Sequence, residues 1–127
     1  MNTPEGLKYN KNDEWVKVEG EIAVIGISDY AQDQLSDVVF VEIHVSVGDV
    51  LAAGKVIATV ESVKATSDVT TPVSGKVVEV NPLLGTSPEI INTDPYGQAW
   101  LIKLQLSQPG EIEQLMTALA YQEYRKI

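Results

Sequence analysis

Between Glu14 and Leu106 the chain is divided into short β-branched and aromatic runs closed by turn residues. Val38-Val39-Phe40-Val41-Glu42-Ile43, Val56-Ile57-Ala58-Thr59-Val60-Glu61 and Lys76-Val77-Val78-Glu79-Val80 each read as a strand, the first of them largely buried. Glycine, proline, asparagine or aspartate punctuates the gaps. Many short strands at close spacing point to a small barrel or sandwich.

The connections follow from residue type. Trp15, Val16 and Val18 precede Glu19-Gly20, and Ile22, Val24, Ile25 and Ile27 follow, which predicts a hairpin with Gly20 taking a positive φ. Val47-Gly48-Asp49-Val50 is a turn into a short strand, and Ala53-Gly54-Lys55 is a second turn. Ser67-Asp68-Val69-Thr70-Thr71 should return antiparallel to the strand that begins at Val56, before Pro72 and Gly75 turn the chain again. Gly48-Asp49-Val50 and Gly75-Lys76-Val77 echo each other, as two similar halves folded about one another would.

Helical signals are few. Ser28 is a good N-cap for Asp29 to Leu35, a helix short enough to need the sheet for support. Asn81-Pro82-Leu83-Leu84-Gly85 reads as one helical turn, with proline starting it and glycine ending it, and Ser87-Pro88-Glu89-Ile90-Ile91 repeats the start signal. Trp100 to Leu106 passes from a continuous apolar run to alternation, as in a strand nearing the surface. Ile112, Leu115, Met116 and Leu119 recur at helical spacing and predict an amphipathic helix over the core, with Thr117 able to cap a second segment from Ala118 to Lys126. The 127 residues fit one domain, 1–127, with a core at about 14–106 and a C-terminal helical segment at about 109–127.

Composition removes whole classes of function. A net charge of −9 argues against nucleic acid and anionic membrane surfaces, where binding needs clustered Lys and Arg. The same charge suits partner proteins with basic patches. The absence of cysteine excludes thiol nucleophiles, thiolate metal sites and disulfides. No apolar run approaches the roughly 18 residues a membrane span needs, and Met1-Asn2-Thr3-Pro4-Glu5 has no leader character. A soluble intracellular protein, or an organellar one whose leader has been removed, is expected. His44 is the only histidine and reads as structural or solvent-facing. The carboxylates are scattered, and there is no phosphate-binding glycine loop. A self-sufficient active site is not expected.

Lys64 is the remaining chemical feature. It follows Gly54 by ten residues, precedes Gly75 by eleven, and falls where a tight turn between two strands would hold out its amine. Three readings fit that position. It is a plain surface lysine, a Schiff-base lysine, or a lysine loaded with a prosthetic group. A Schiff base needs burial to depress the amine pKa, and the flanking Glu61 and Asp68 supply the opposite surroundings. Loading needs an accessible amine, small neighbours such as Ser62 and Ala65, and a rigid base.

Glu61-Ser62-Val63-Lys64-Ala65-Thr66-Ser67-Asp68-Val69, followed by Pro72-Val73-Ser74-Gly75, resembles the lipoylation site of the glycine cleavage system H proteins. Glu14-Trp15-Val16, Gly26 to Gln32, Val39 to Glu42, Asp94-Pro95-Tyr96-Gly97 and Trp100 to Lys103 match that family in order and spacing, so the resemblance runs from about Leu7 to Tyr124. Ser36 stands where members often have glycine, Gln34 replaces a common polar variant, and His44-Val45-Ser46 is atypical of its loop.

The resemblance implies a mainly β fold, a lipoyl-domain-like barrel-sandwich hybrid with short helices and a C-terminal helical segment. It implies lipoic acid in amide linkage to Lys64, and a non-catalytic carrier rather than an enzyme. In this family the carrier takes the aminomethyl group of glycine from the P protein (glycine decarboxylase) to the T protein (aminomethyltransferase). It then presents dihydrolipoyl to the L protein (dihydrolipoyl dehydrogenase). A lipoate ligase or a lipoyl/octanoyl transferase would load it. A monomer is expected, cytoplasmic if bacterial and otherwise a mature chain of the mitochondrial matrix. Glu14 and Asp68 match acidic positions suited to holding the cationic amine of the loaded arm. A biotin carrier would have methionines beside the lysine, where this chain has Val63 and Ala65. A 2-oxo acid dehydrogenase lipoyl domain typically has aspartate before the lysine. An H-like relay that hands lipoyl or octanoyl groups to other proteins is the alternative role.

Overall fold

Nine strands pair into two antiparallel sheets that share one core. The structure is a computed structural model describing residues 1–127. The larger sheet contains β1 (Lys8–Tyr9), β2 (Glu14–Glu19), β3 (Ile22–Ile27), β9 (Ile102–Leu106), β8 (Gly75–Val80) and β5 (Val50–Leu51), in that order. The smaller has β6 (Val56–Ser62) between β4 (Val38–Ile43) and β7 (Thr66–Thr70). Apolar side chains of both sheets interdigitate, with Ile25, Ile57, Val60, Val77, Ile102 and Leu104 among those wholly buried. Each contributes roughly 1.5–3 kcal/mol of burial.

The hairpin forms as its sequence predicts, with Glu19 opposite Ile22 and Gly20 at φ +66°. The echoed triplets lie side by side. Val50 pairs with Lys76 and Leu51 with Gly75, while the Gly48 amide donates to the Val77 carbonyl. Ser28 caps α1 (Asp29–Leu35) by accepting from the Ala31 amide at 3.1 Å, and Ala31 and Leu35 anchor the helix to the core. α1 ends at Ser36, whose φ of +65° and ψ of −149° belong to a region that glycine occupies far more readily. α2 (Leu83–Thr86) runs through Gly85 instead of stopping there, and α3 (Ile90–Thr93) begins one turn after Ser87.

Trp100 to Leu106 nears the surface as its alternation suggests: Leu101, Ile102 and Leu104 are buried, Gln105 is exposed, and β3 and β8 flank the strand. Two expectations are corrected. β4 is not largely buried: Val38 and Val41 are buried and Ile43 packs half-buried against the core, while a register shift between Val38 and Phe40 turns Val39 and Phe40 outward. No helix spans Ile112 to Leu119. Pro109–Gln114 is a 3-10 turn, Leu115 is extended, and Met116 exchanges both backbone hydrogen bonds with Tyr9 at 2.8 Å. Edge pairing with β1 outweighs the helical pattern there. The cap at Thr117 does form, accepting from the Ala120 amide, and starts α4 (Ala118–Arg125).

α4 closes a second, smaller apolar cluster against β1 and β2. Tyr121 stacks on Tyr9 with ring centroids 4.8 Å apart, and its hydroxyl donates to Asp13 at 2.7 Å. Arg125 grips the same carboxylate with two nitrogens, at 2.8 and 2.7 Å. Asp13 itself has a φ of +70°, a conformation aspartate adopts more readily than most residues. The clamp fixes the residue immediately before Glu14.

Candidate functional site

β6 and β7 are joined by a three-residue connection, Val63-Lys64-Ala65. Glycine is absent and none of the three residues takes a positive φ, so the turn is braced by Ser62 instead. Its hydroxyl accepts from the amides of Lys64 (3.3 Å) and Ala65 (3.0 Å), while its own amide donates to the Ala65 carbonyl at 2.8 Å. The Val63 amide donates to the Asp37 carbonyl, which ties the turn to the chain entering β4. Serine thereby supplies through its side chain the order that glycine geometry gives other hairpins.

At this tip Lys64 is exposed, its neighbours Val63 and Ala65 are exposed, and its amine makes no ion pair. A buried Schiff-base lysine is incompatible with such a position. An accessible amine on a four-carbon stem above a braced hairpin suits covalent loading with a carboxylic acid. The small Ala65 leaves space for the enzyme that would do it.

Glu14 is buried at the start of β2, 2 % exposed. Asn10 donates to its Oε1 at 2.9 Å and Thr70 to its Oε2 at 3.2 Å. Burial pushes the Glu14 carboxyl above the usual range, and these hydrogen bonds only partly oppose the rise. Glu14 and Asp68 line one cleft of about 160 Å³ with Asn12, Ile27, Leu35 and Ser67. Ser67 is three residues from Lys64. The two acids are not equivalent, however. Asp68 is exposed, lies between half-buried Ser67 and buried Val69, and accepts from the Thr59 hydroxyl at 3.1 Å. Only Glu14 is enclosed.

His44 is partly exposed at the end of β4, as its position in the sequence suggests. Its Nε2 is hydrogen-bonded to the Thr59 hydroxyl at 2.7 Å, and Nδ1 lies 3.8 Å from Glu42. No cluster of three or more His, Asp and Glu side chains is arranged to hold a metal ion. A larger groove of about 500 Å³ lies at the other end of β2, beside Val18 and Gly20, and touches neither Lys64 nor Glu14.

The sequence profile of the glycine cleavage H-protein family matches residues 7–127. The chain belongs to that family. It is 53 % identical over 125 residues to the glycine cleavage system H protein of Symbiobacterium thermophilum, covering 98 % of this chain and 97 % of that one. The Thermotoga maritima H protein is 50 % identical over 117 residues, covering 92 % and 94 %. A crystal structure of the Mycobacterium marinum H protein superposes with a TM-score of 0.88 at 34 % identity, covering 98 % and 99 %. The mainly β sandwich is thus the H-protein fold, and the chain is a lipoyl carrier of glycine cleavage rather than an enzyme. The family implies lipoate as its prosthetic group and P, T and L proteins as its partners.

Several family-matching residues outside the tip prove to be framework. Gly26 faces the Trp15 ring, where a Cβ would sit 2.6 Å away, and Trp15 donates to the Pro95 carbonyl at 3.0 Å. In the adjacent turn the Asp94 carboxylate fills the space a side chain at position 97 would need and accepts from the Gln98 amide. The Tyr96 hydroxyl accepts from the Asp29 amide and donates to the Asn2 carbonyl. Residue-by-residue reading overlooked Asn81 and Asn92. Asn81 bonds the carbonyls of Gln98 and Trp100, and Asn92 bonds the Val38 amide and the Ser36 carbonyl. Their placement beside Pro82 and Thr93 signals turns, but gives no hint of these distant partners.

Proposed function

We propose that Lys64 carries lipoic acid in amide linkage and presents it to three separate enzymes. The supporting observation is the Ser62-braced hairpin, which leaves one unpaired, exposed amine at its tip. Bound there, the lipoyl group supplies a disulfide that opens to accept the aminomethyl group of glycine and is later reoxidised from the dithiol. The chain itself supplies reach, position and shelter. A tether on a fixed tip keeps the reactive end at high local concentration wherever the carrier docks on P, T or L protein.

Glu14 supplies the shelter. An enclosed carboxylate without a cationic partner is costly, and the amine of a loaded arm turned into the cleft would offset that cost. Asp68 adds negative charge at the rim. A lipoate ligase or a lipoyl/octanoyl transferase loads the chain, which acts as a monomer. No helix is long and apolar enough to cross a membrane, and the close relatives are bacterial, in keeping with a cytoplasmic carrier.

Loaded chain is expected to support glycine–bicarbonate exchange by P protein, and Lys64→Arg chain to give none. Exchange at the wild-type rate without modification at Lys64 would end this reading. For the shelter, loaded Glu14→Gln/Asp68→Asn chain should lose the bound aminomethyl group faster than wild type; equal decay would remove Glu14 and Asp68 from that role.

A further inference from the structure

Exposure alone does not make Lys64 unique. Lys11, Lys55, Lys76 and Lys126 are also exposed and also lack an ion pair. An acylating enzyme meets the chain before any arm exists, so it must choose among these amines from the protein surface around them.

The surface beside Lys64 differs from the others. On the outer face of the three-stranded sheet, Phe40 sits opposite Glu61, which sits opposite Thr66. Glu42 sits opposite Thr59, which sits opposite Asp68. Phe40, the only phenylalanine in the chain, is 48 % exposed, and Val39 and Val63 nearby are 54 % and 67 % exposed. The three strands carry no lysine or arginine, and the carboxylates of Glu61 and Asp68 have no cationic partner. On the six-stranded sheet four lysines accompany three glutamates, with Lys17 on Glu19 and Lys103 on Glu79.

We propose that this outer face, centred on Phe40 and rimmed by Glu42 and Asp68, is the docking surface by which the acylating enzyme selects Lys64. The inference rests on the reading of Lys64 as a lipoylation site. The complementary occupant is a protein surface with an apolar hollow for Phe40, ringed by lysine and arginine side chains. A half-exposed phenylalanine beside the unpaired carboxylates of Glu61 and Asp68 is a poor arrangement for a surface that meets only water. It suits a partner that buries the ring and supplies the missing cations.

Docking places Nζ of Lys64, as the free amine, against the carbonyl carbon of an activated lipoyl ester such as lipoyl adenylate. The C–N bond forms, the C–O bond to phosphate breaks, adenylate leaves with the electron pair, and the amine proton passes to solvent. Phe40, Glu42 and Asp68 do not touch the reacting atoms. They act by positioning.

The test measures initial rates of lipoyl incorporation by intact mass, using the unloaded chain, a lipoate–protein ligase, lipoate and ATP. Phe40→Ser should lower kcat/KM about tenfold or more, chiefly through KM. Glu42→Lys should lower it several-fold and weaken its dependence on ionic strength, because charge steering is screened by salt. Val50→Ser, 80 % exposed on the other sheet, should match wild type. Calorimetric binding of Lys64→Arg chain to the ligase reports docking without chemistry and should lose affinity in parallel when Phe40→Ser is added. Circular dichroism melts confirm folding of each variant. Wild-type rates and binding for Phe40→Ser and Glu42→Lys would overturn the docking surface while leaving Lys64 as the modified residue. No incorporation into wild-type chain would overturn both.

Discussion

The two sheets share one core but differ in what they present outward. The six-stranded sheet is a framework. β9 is held on both sides, Trp15 is buried against Gly26, and two of the four strand lysines are paired with glutamates. The three-stranded sheet carries the Lys64 turn at one end, an uncovered Phe40 and three strand carboxylates with no lysine or arginine among them. Both sheets bury their inner faces in that core, so the contrast lies in the outer faces, one with paired lysines and the other with carboxylates and an exposed Phe40. As the proposed docking surface, the outer face of the three-stranded sheet can keep its carboxylates poorly neutralised while its inner face still packs in the shared core.

Core truncation tests the division most severely. Leu104→Ala, in the middle of the six-stranded sheet, should cost about 2–5 kcal/mol in denaturant melts, whereas Phe40→Ser should stay within about 1 kcal/mol. Equal losses would show that Phe40 is structural after all. Ser36→Gly, at the entry to β4, should stabilise by roughly 1 kcal/mol, because glycine adopts φ +65°, ψ −149° without the strain serine bears. Lipoylation of that variant should be unchanged.

The smallest effect expected is that of Glu14→Gln, and its pH dependence carries the sign. Burial raises the Glu14 carboxyl above its unfolded value, so the folded chain binds this proton more tightly than the unfolded one. The proton's contribution to stability is complete below the ordinary glutamate range and is lost as pH rises through the raised value. Unloaded Glu14→Gln chain should therefore melt higher than wild type at neutral pH, and the gap should close at acidic pH. A gap that widened on acidification would contradict this description of Glu14.

The sequence made the strands legible because β-branched runs and turn residues encode them locally. Ser28 and Thr117 were legible as caps for the same reason. Pairing was legible only between chain neighbours, as in β2 with β3 and β6 with β7. Nothing local shows that β4 joins β6 while β5 joins β8, or that the two-residue β1 exists. The expected helix from Ile112 to Leu119 fails because Leu115 and Met116 have a better use at the sheet edge, a partnership 107 residues distant at Met116 and Tyr9. Arg125 and Asp13 are similarly remote. The outward turn of Phe40 depends on a register shift that hydrophobicity conceals, since Val39-Phe40 looks buried by composition. Lys64 was the reverse case: spacing alone placed it at a tip, and the Ser62 hydrogen bonds give the physical reason.

The most direct measurement is the intact mass of the chain after expression with a lipoate ligase and lipoate, with Lys64→Arg chain treated identically. A single lipoyl increment on wild type, mapped by peptide fragmentation to Lys64 and absent from the variant, is the predicted result. An increment that persists in Lys64→Arg, or its absence from wild type, would contradict the account of Lys64 as the carrier residue.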